Sequence, residues 1–244
     1  MICKNCTHEV SGQFCSHCGQ KTSEQPVTLD YFSQQLISKI NPLQAGNASL
    51  LGFLLHPAQT IVDFIQCKRM QIAQPLSVLF VTSGIYLLLN AYLGDHSLKA
   101  HIAATDSRNI VLIKYFLQSF YQNLGFSLLL TTLPFAWLTH ISFKWAGYRY
   151  AEHVAIQLYL VSYGLVLSVL QLILDHWRLE GINLMSPTVF TVLFYAVLGL
   201  VFSKVLSAEY NLQIVVKYLL LMLLFIMLLT MCGVALLWLQ QSIF

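Results

Sequence analysis

PLSVLFVTSGIYLLLNAYL, residues 75–93, decides the fold: it contains no Asp, Glu, Lys or Arg. A hydrocarbon core of about 30 Å needs roughly 20 helical residues. This stretch supplies that length and opens on Pro75, a residue suited to the first helical turn. Four comparable stretches follow, at about 121–143 (with Pro134 inside it), 152–174, 187–206 and 216–239. The composition agrees, with 57% hydrophobic and 9% charged residues and a mean hydropathy of +0.67. Soluble domains run nearer 45–50% apolar and about 25% charged. These proportions disfavour a soluble globule, a nucleic-acid-binding protein and a disordered regulator. The net charge of +3 is too small a surplus to argue for an acidic partner. The expected fold is an all-α polytopic membrane protein with five transmembrane helices over residues 75–244.

Ahead of the first span, residues 26–74 read as short amphipathic helices lying on the membrane surface. Leu29, Phe32, Leu36 and Ile40 make one apolar stripe at intervals of three and four, and Thr28 is placed to cap it. Asn41-Pro42 and Gly46 interrupt the pattern. A second helix starts at Pro57 and turns Ile61, Phe64 and Ile65 to one side. The connection at 94–109 is polar, and 110–120 reads as an interfacial helix rather than a sixth span, because Lys114, Gln118, Gln122 and Asn123 break its apolar length.

Residues 1–25 carry four of the six cysteines, as Cys3-x-x-Cys6 and Cys15-x-x-Cys18. Each such turn brings two thiolates to one point, and two turns complete a tetrahedron around zinc. Four thiolates close the coordination sphere, so the expected Zn2+ is structural. A thiol-redox pair and an iron site are the weaker alternatives. His8 and His17 are surplus to a four-thiol site, Cys67 reads as an ordinary interfacial residue, and Cys232 as membrane packing. No apolar leader precedes the cysteines, which favours a reducing cytoplasm over a disulfide framework.

With the N-terminus inside, the cytoplasmic side gathers Lys68, Arg69, Lys144, Arg149, Lys204 and Lys217 near the membrane. The opposite side has Lys99, Arg108, Lys114 and Arg178. This bias predicts a cytoplasmic N-terminus and an outside C-terminus. Trp145, Tyr148 and Tyr150 at one face, and Trp177 and Trp238 at the other, fit aromatic belts. Lys68 and Arg69 are candidates for lipid-headgroup contact or simple topology anchors. His140, Glu152 and His153 form a candidate intramembrane polar site, since a loop of roughly ten residues lets the two spans bring them together. Asp175, His176, Arg178 and Glu180 read as a solvated loop. Pro134 is expected to kink its span, with Thr131 and Thr132 helping to satisfy the freed backbone.

The cysteine segment, ICKNC…GQFCSHCGQK, resembles an N-terminal zinc ribbon in which glycine usually stands where this chain has Thr7. The following HPAQTIVDFIQCKRMQIAQPLSVLF resembles the signature stretch of an uncharacterised family of bacterial membrane proteins carrying that ribbon. Pro57, Thr60, Phe64-Ile65, Lys68-Arg69 and Pro75 match it, while Ala58 and Cys67 stand where glycine is usual. The resemblance implies the bacterial inner membrane. Five spans with a cytoplasmic N-terminus are also similar to the Yip/Yif trafficking family, which implies membrane organisation and partner recruitment.

No phosphate loop, Ser-His-Asp set or pair of membrane carboxylates is present. The expectation is therefore a non-enzymatic membrane scaffold or adaptor whose ribbon recruits a protein partner, with membrane lipids around it and no nucleic acid. Self-association of the bundle is open, with no dimer motif to support it. The alternative is a lipid or small-solute transporter with a regulatory ribbon and a polar cavity drawn from Thr131, Thr132, Gln157 and Gln171. An enzyme acting through Glu152, His153 and His140 ranks last.

Overall fold

The computed structural model describes residues 1–22, 26–37, 52–69, 72–93, 123–179 and 186–243. The expected 94–109 loop, the 110–120 interfacial helix, Ile40, Asn41-Pro42, Gly46 and Glu180 lie outside those residues, as do the side chains of Arg178 and Trp238.

Among the described residues, the helices that follow the N-terminal segment include α1 (Leu29–Ile37), α2 (Pro57–Ile65), α3 (Pro75–Leu93), α4 (Leu124–Ser142), α5 (Tyr150–Leu179), α6 (Pro187–Ser207) and α7 (Leu212–Ile243). A single 3-10 turn, Lys144–Ala146, sits between α4 and α5. Five of these helices, α3 to α7, are long and apolar enough to cross a membrane. Among the described residues, β-structure is confined to two isolated antiparallel bridges, Ile2 with Glu9 and Phe14 with Lys21.

The helix starts follow from their residues. Thr28 Oγ1 accepts the Tyr31 N–H at 3.3 Å and so caps α1. At α6, Ser186 accepts the Val189 N–H, and Pro187 occupies the first turn. The helices α6 and α7 turn back on each other within 208–211. There the fully buried Ser203 hydroxyl accepts the Asn211 N–H at 2.8 Å.

Helix α5 is the axle of the bundle. Over residues 153–160 every position is buried, as expected of a helix that is apolar nearly all round. It packs against α3, α4, α6 and α2, while α7 closes the far side against α6 and α4. Gly199 allows the close crossing of α6 and α7: a Cβ there would lie 2.9 Å from Val215 Cγ1. The outward faces of α6 and α7 are apolar, including Val192, Leu220, Leu223 and Met227.

Three expectations change. The α2 helix does not offer its apolar face to lipid. Pro57, Ala58, Ile61 and Phe64 are buried, and α2 packs against α5 and α6. Asp175 and His176 lie within the last turns of α5 rather than in a loop, because charged side chains do not end a helix that extends past its apolar stretch. Helix α4 includes Pro134, and the threonines before it do not play the part expected of them. The Thr131 and Thr132 hydroxyls donate to the carbonyls of Ser127 and Leu128, one turn back, and not to that of Leu130, which the proline frees.

Candidate metal centre and the buried polar chain

The four cysteines predicted as ligands come together. Their Sγ atoms all lie within 4.8 Å of one another, with Cys3 and Cys18 at 3.6 Å and Cys6 and Cys15 at 3.5 Å. Two backbone turns of one design do this. In the first, Cys3 N–H donates to His8 O and Thr7 N–H returns to Cys3 O, both at 2.9 Å. In the second, Cys15 N–H donates to Gln20 O and Gly19 N–H returns to Cys15 O, both at 2.8 Å. Each turn needs a left-handed residue, supplied by Thr7 (φ 60°) and Gly19 (φ 75°). His8 and His17 stack on each other, ring centroids 5.1 Å apart, rather than entering the thiol cluster.

The electrostatics suit a cation. Backbone N–H groups of Cys18 and His17, aided by the neighbouring thiols of Cys6 and Cys18, pull the Cys15 thiol down to about 6. Those of Cys6 and Asn5 lower Cys3. The Cys6 thiol feels a lowering bond from the His8 backbone, but burial and the three thiols around it push it up to about 12. Two sulphurs thus lose protons readily while another resists, since several thiolates this close repel. A metal ion among them removes that conflict. The four residues could therefore hold a metal ion.

The cluster is fastened to the helices by Gln20, a residue whose position in the sequence reads only as polar surface. Gln20 is 4% exposed, and both ends of its amide are used. Nε2 donates to Cys67 O at 2.7 Å, and Oε1 accepts the Arg69 N–H at 3.1 Å. Cys67 is buried at φ 64°, so the chain leaves α2 by a left-handed turn that presents its carbonyl to Gln20. The contacts continue inward: the Arg69 guanidinium lies 4.9 Å from the centroids of both Tyr31 and Phe64. Phe64 packs edge-on against Tyr159, whose hydroxyl donates to Ala73 O at 2.5 Å. Lys68 is paired with Asp63 at 2.9 Å. Both members of the predicted headgroup pair thus have partners within the chain.

The predicted intramembrane site divides. His140 and His153 do meet, with ring centroids 5.3 Å apart. Glu152 does not join them: its Oε2 accepts the Arg149 N–H at 2.7 Å, closing the first turn of α5. Instead a buried polar chain runs inward from His153. Its Nδ1 lies 3.3 Å from Thr139 Oγ1, Gln157 Nε2 donates to the same oxygen at 3.5 Å, and Tyr218 OH donates to Gln157 Oε1 at 3.0 Å. Thr139 and Tyr218 carry no sequence signal for this role, because only the packing of α4, α5 and α7 aligns them. Gln157 and Tyr218 also border a cavity of about 370 Å³ among α4, α5, α6 and α7. Thr131 and Thr132 line it, Gln171 does not, and Phe135, Phe194 and Phe225 make its walls mainly apolar.

Comparison with protein-family models, with curated proteins and with solved structures finds no match. The chemistry of these sites is therefore what bears on function.

Proposed function

We propose that this protein is a non-enzymatic membrane scaffold of the bacterial inner membrane, with a cytoplasmic zinc ribbon that recruits a protein partner. The observation that carries this reading is a closed four-thiol centre bolted by Gln20 to the membrane helices. A ribbon so held keeps a fixed orientation at the membrane face. Zinc suits the centre because zinc–sulphur bonds of about 2.3 Å place the sulphurs of a tetrahedron about 3.8 Å apart, near the 3.5 and 3.6 Å found here. Four protein ligands leave no position for a reacting water, so the ion is structural. Ile2 and Phe14, at the two bridges, are 72% and 59% exposed, which supports a docking role. Orientation is supported by Lys68, Arg69, Lys144, Arg149, Lys204 and Lys217, which lie at or near helix ends, Arg69 in contact with Gln20 of the ribbon and Lys217 with the end of α4.

In-cell cross-linking with mass spectrometry tests the proposal by comparing the wild type with Ile2→Ser/Phe14→Ser, which leaves all four thiols in place. Loss of specific partners from the variant is the expected result. An unchanged partner set, with both chains inserted equally, contradicts it. The cavity favours one second reading, a carrier for lipids or other amphiphiles: its walls are too apolar for an ion or sugar. Purified protein that leaves lipid exchange between vesicles unaltered would remove that reading.

A further inference from the structure

We propose that His140 and His153 form a second metal site, separate from the ribbon, that takes a monovalent copper ion. The argument begins with the proton on His153. Thr139 donates its hydroxyl hydrogen to Ala136 O at 3.0 Å, so toward His153 its oxygen acts as an acceptor. With that hydrogen on Ala136 O, His153 carries its proton on Nδ1, which leaves Nε2 with a bare lone pair. That nitrogen is buried without a partner, on a residue that is 0% exposed. The Nδ1 of His140, on the facing ring, is also buried without a partner.

The surrounding groups cannot supply donors. Tyr148 OH donates to Val205 O and Tyr150 OH to Leu133 O, each at 3.1 Å. Both rings flank the histidines, but their hydroxyl hydrogens are committed. Glu152 is occupied at Arg149, as described above. A buried imidazole whose other nitrogen donates to a fixed oxygen is the arrangement that orients a histidine toward a metal.

The choice of ion follows from what is absent around the pair. Among the described residues, the ribbon cysteines are the one group of three or more His, Cys, Asp or Glu ligand atoms that come together. The histidines thus gain no third ligand of that kind and no negative charge. The cost of burying an ion rises with the square of its charge, so a divalent ion without anionic ligands meets roughly four times the penalty of a monovalent one. Imidazole suits zinc, copper, iron and nickel. Of these, copper has a stable monovalent state, and that state is satisfied by two nitrogen ligands.

The test uses the full chain in lipid nanodiscs, with Cu(I) offered from a competing chelator and Ag(I) as a redox-inert copy. Wild type is expected to bind one equivalent more than either His140→Gln or His153→Gln, the ribbon's share being equal in all three. X-ray absorption should show nitrogen neighbours for the extra equivalent. Thr139→Val, which frees the His153 tautomer, should weaken that equivalent by roughly 10–100-fold. His140→Gln leaves the Thr139–His153 contact intact, so it decides the matter should His153→Gln fail to fold. Equal capacity in wild type and His140→Gln would overturn the proposal and leave a bridging water or proton as the guest. Loss in only one of two folded variants would overturn it as well.

Discussion

Thr7 stands at φ 60° in the first knuckle, where Gly19 serves at φ 75° in the second. A β-branched residue in that region is strained, by roughly 1–2 kcal/mol, because its Cβ crowds the following carbonyl. Thr7→Gly should relieve that strain and tighten metal binding about fivefold, as read by competition with a zinc chelator. Weaker binding would show that the 2.6 Å bond from Thr7 Oγ1 to Cys6 O outweighs the strain. At this scale the sequence was informative where chemistry has fixed spacing. The four-thiol cluster was legible because cysteines three apart in a turn have few other uses. Gln20 was not, since nothing near it in sequence shows that residues 67–69 will come to meet its amide. Glu152 is illegible for a related reason: adjacency to His153 puts it near the pair in sequence, while the helix start at Arg149 claims its carboxylate.

At the scale of elements, apolar length was enough to locate the spans. The first runs from Pro75 to Leu93, as its sequence reads, because a proline opens it and a polar stretch follows it. Length alone did not disclose which helix would be central. That emerges from small and fully apolar surfaces, such as Ala151 and Ala155 on α5, that let neighbours approach. Nor could amphipathicity distinguish an α2 that packs on lipid from one that packs on protein, since both demand one apolar face. Because Phe64 is fully buried against Tyr31 and Tyr159, Phe64→Ala should cost about 3–5 kcal/mol in denaturant unfolding of the detergent-solubilised chain. A cost under 1 kcal/mol would mean that α2 lies free of the bundle. Gly199→Val should lower stability by about 1–3 kcal/mol in the same assay, through overpacking against Val215. No change would show that α6 and α7 can separate without penalty.

At the scale of the whole molecule, a four-thiol cluster that could hold a metal ion is joined to the helix bundle through one amide and one arginine. Metal binding requires thiolates, so protons compete with the ion. The Cys15 thiol falls from an ordinary 9.0 to about 6 in the folded ribbon. Its thiolate therefore favours the folded form fully above the ordinary value, and that preference drains as pH drops through about 6. A bound ion lowers the threshold further. Zinc should stay stoichiometric at neutral pH and leave only below about 6, as measured by metal analysis after dialysis. Loss at neutral pH would contradict the four-thiolate site.

The central claim is that ribbon and bundle behave as one body, joined through Gln20. Hydrogen–deuterium exchange on the full chain in nanodiscs, with metal bound and after chelation, tests it most directly, with Gln20→Ala as the comparison. Chelation is expected to loosen residues 1–22 and also the backbone of 64–69 in the wild type. In metal-bound Gln20→Ala, the 64–69 segment should already be loosened while the ribbon keeps its protection. Exchange changes confined to residues 1–22 in the wild type, with 64–69 indifferent to both metal and Gln20, would contradict it.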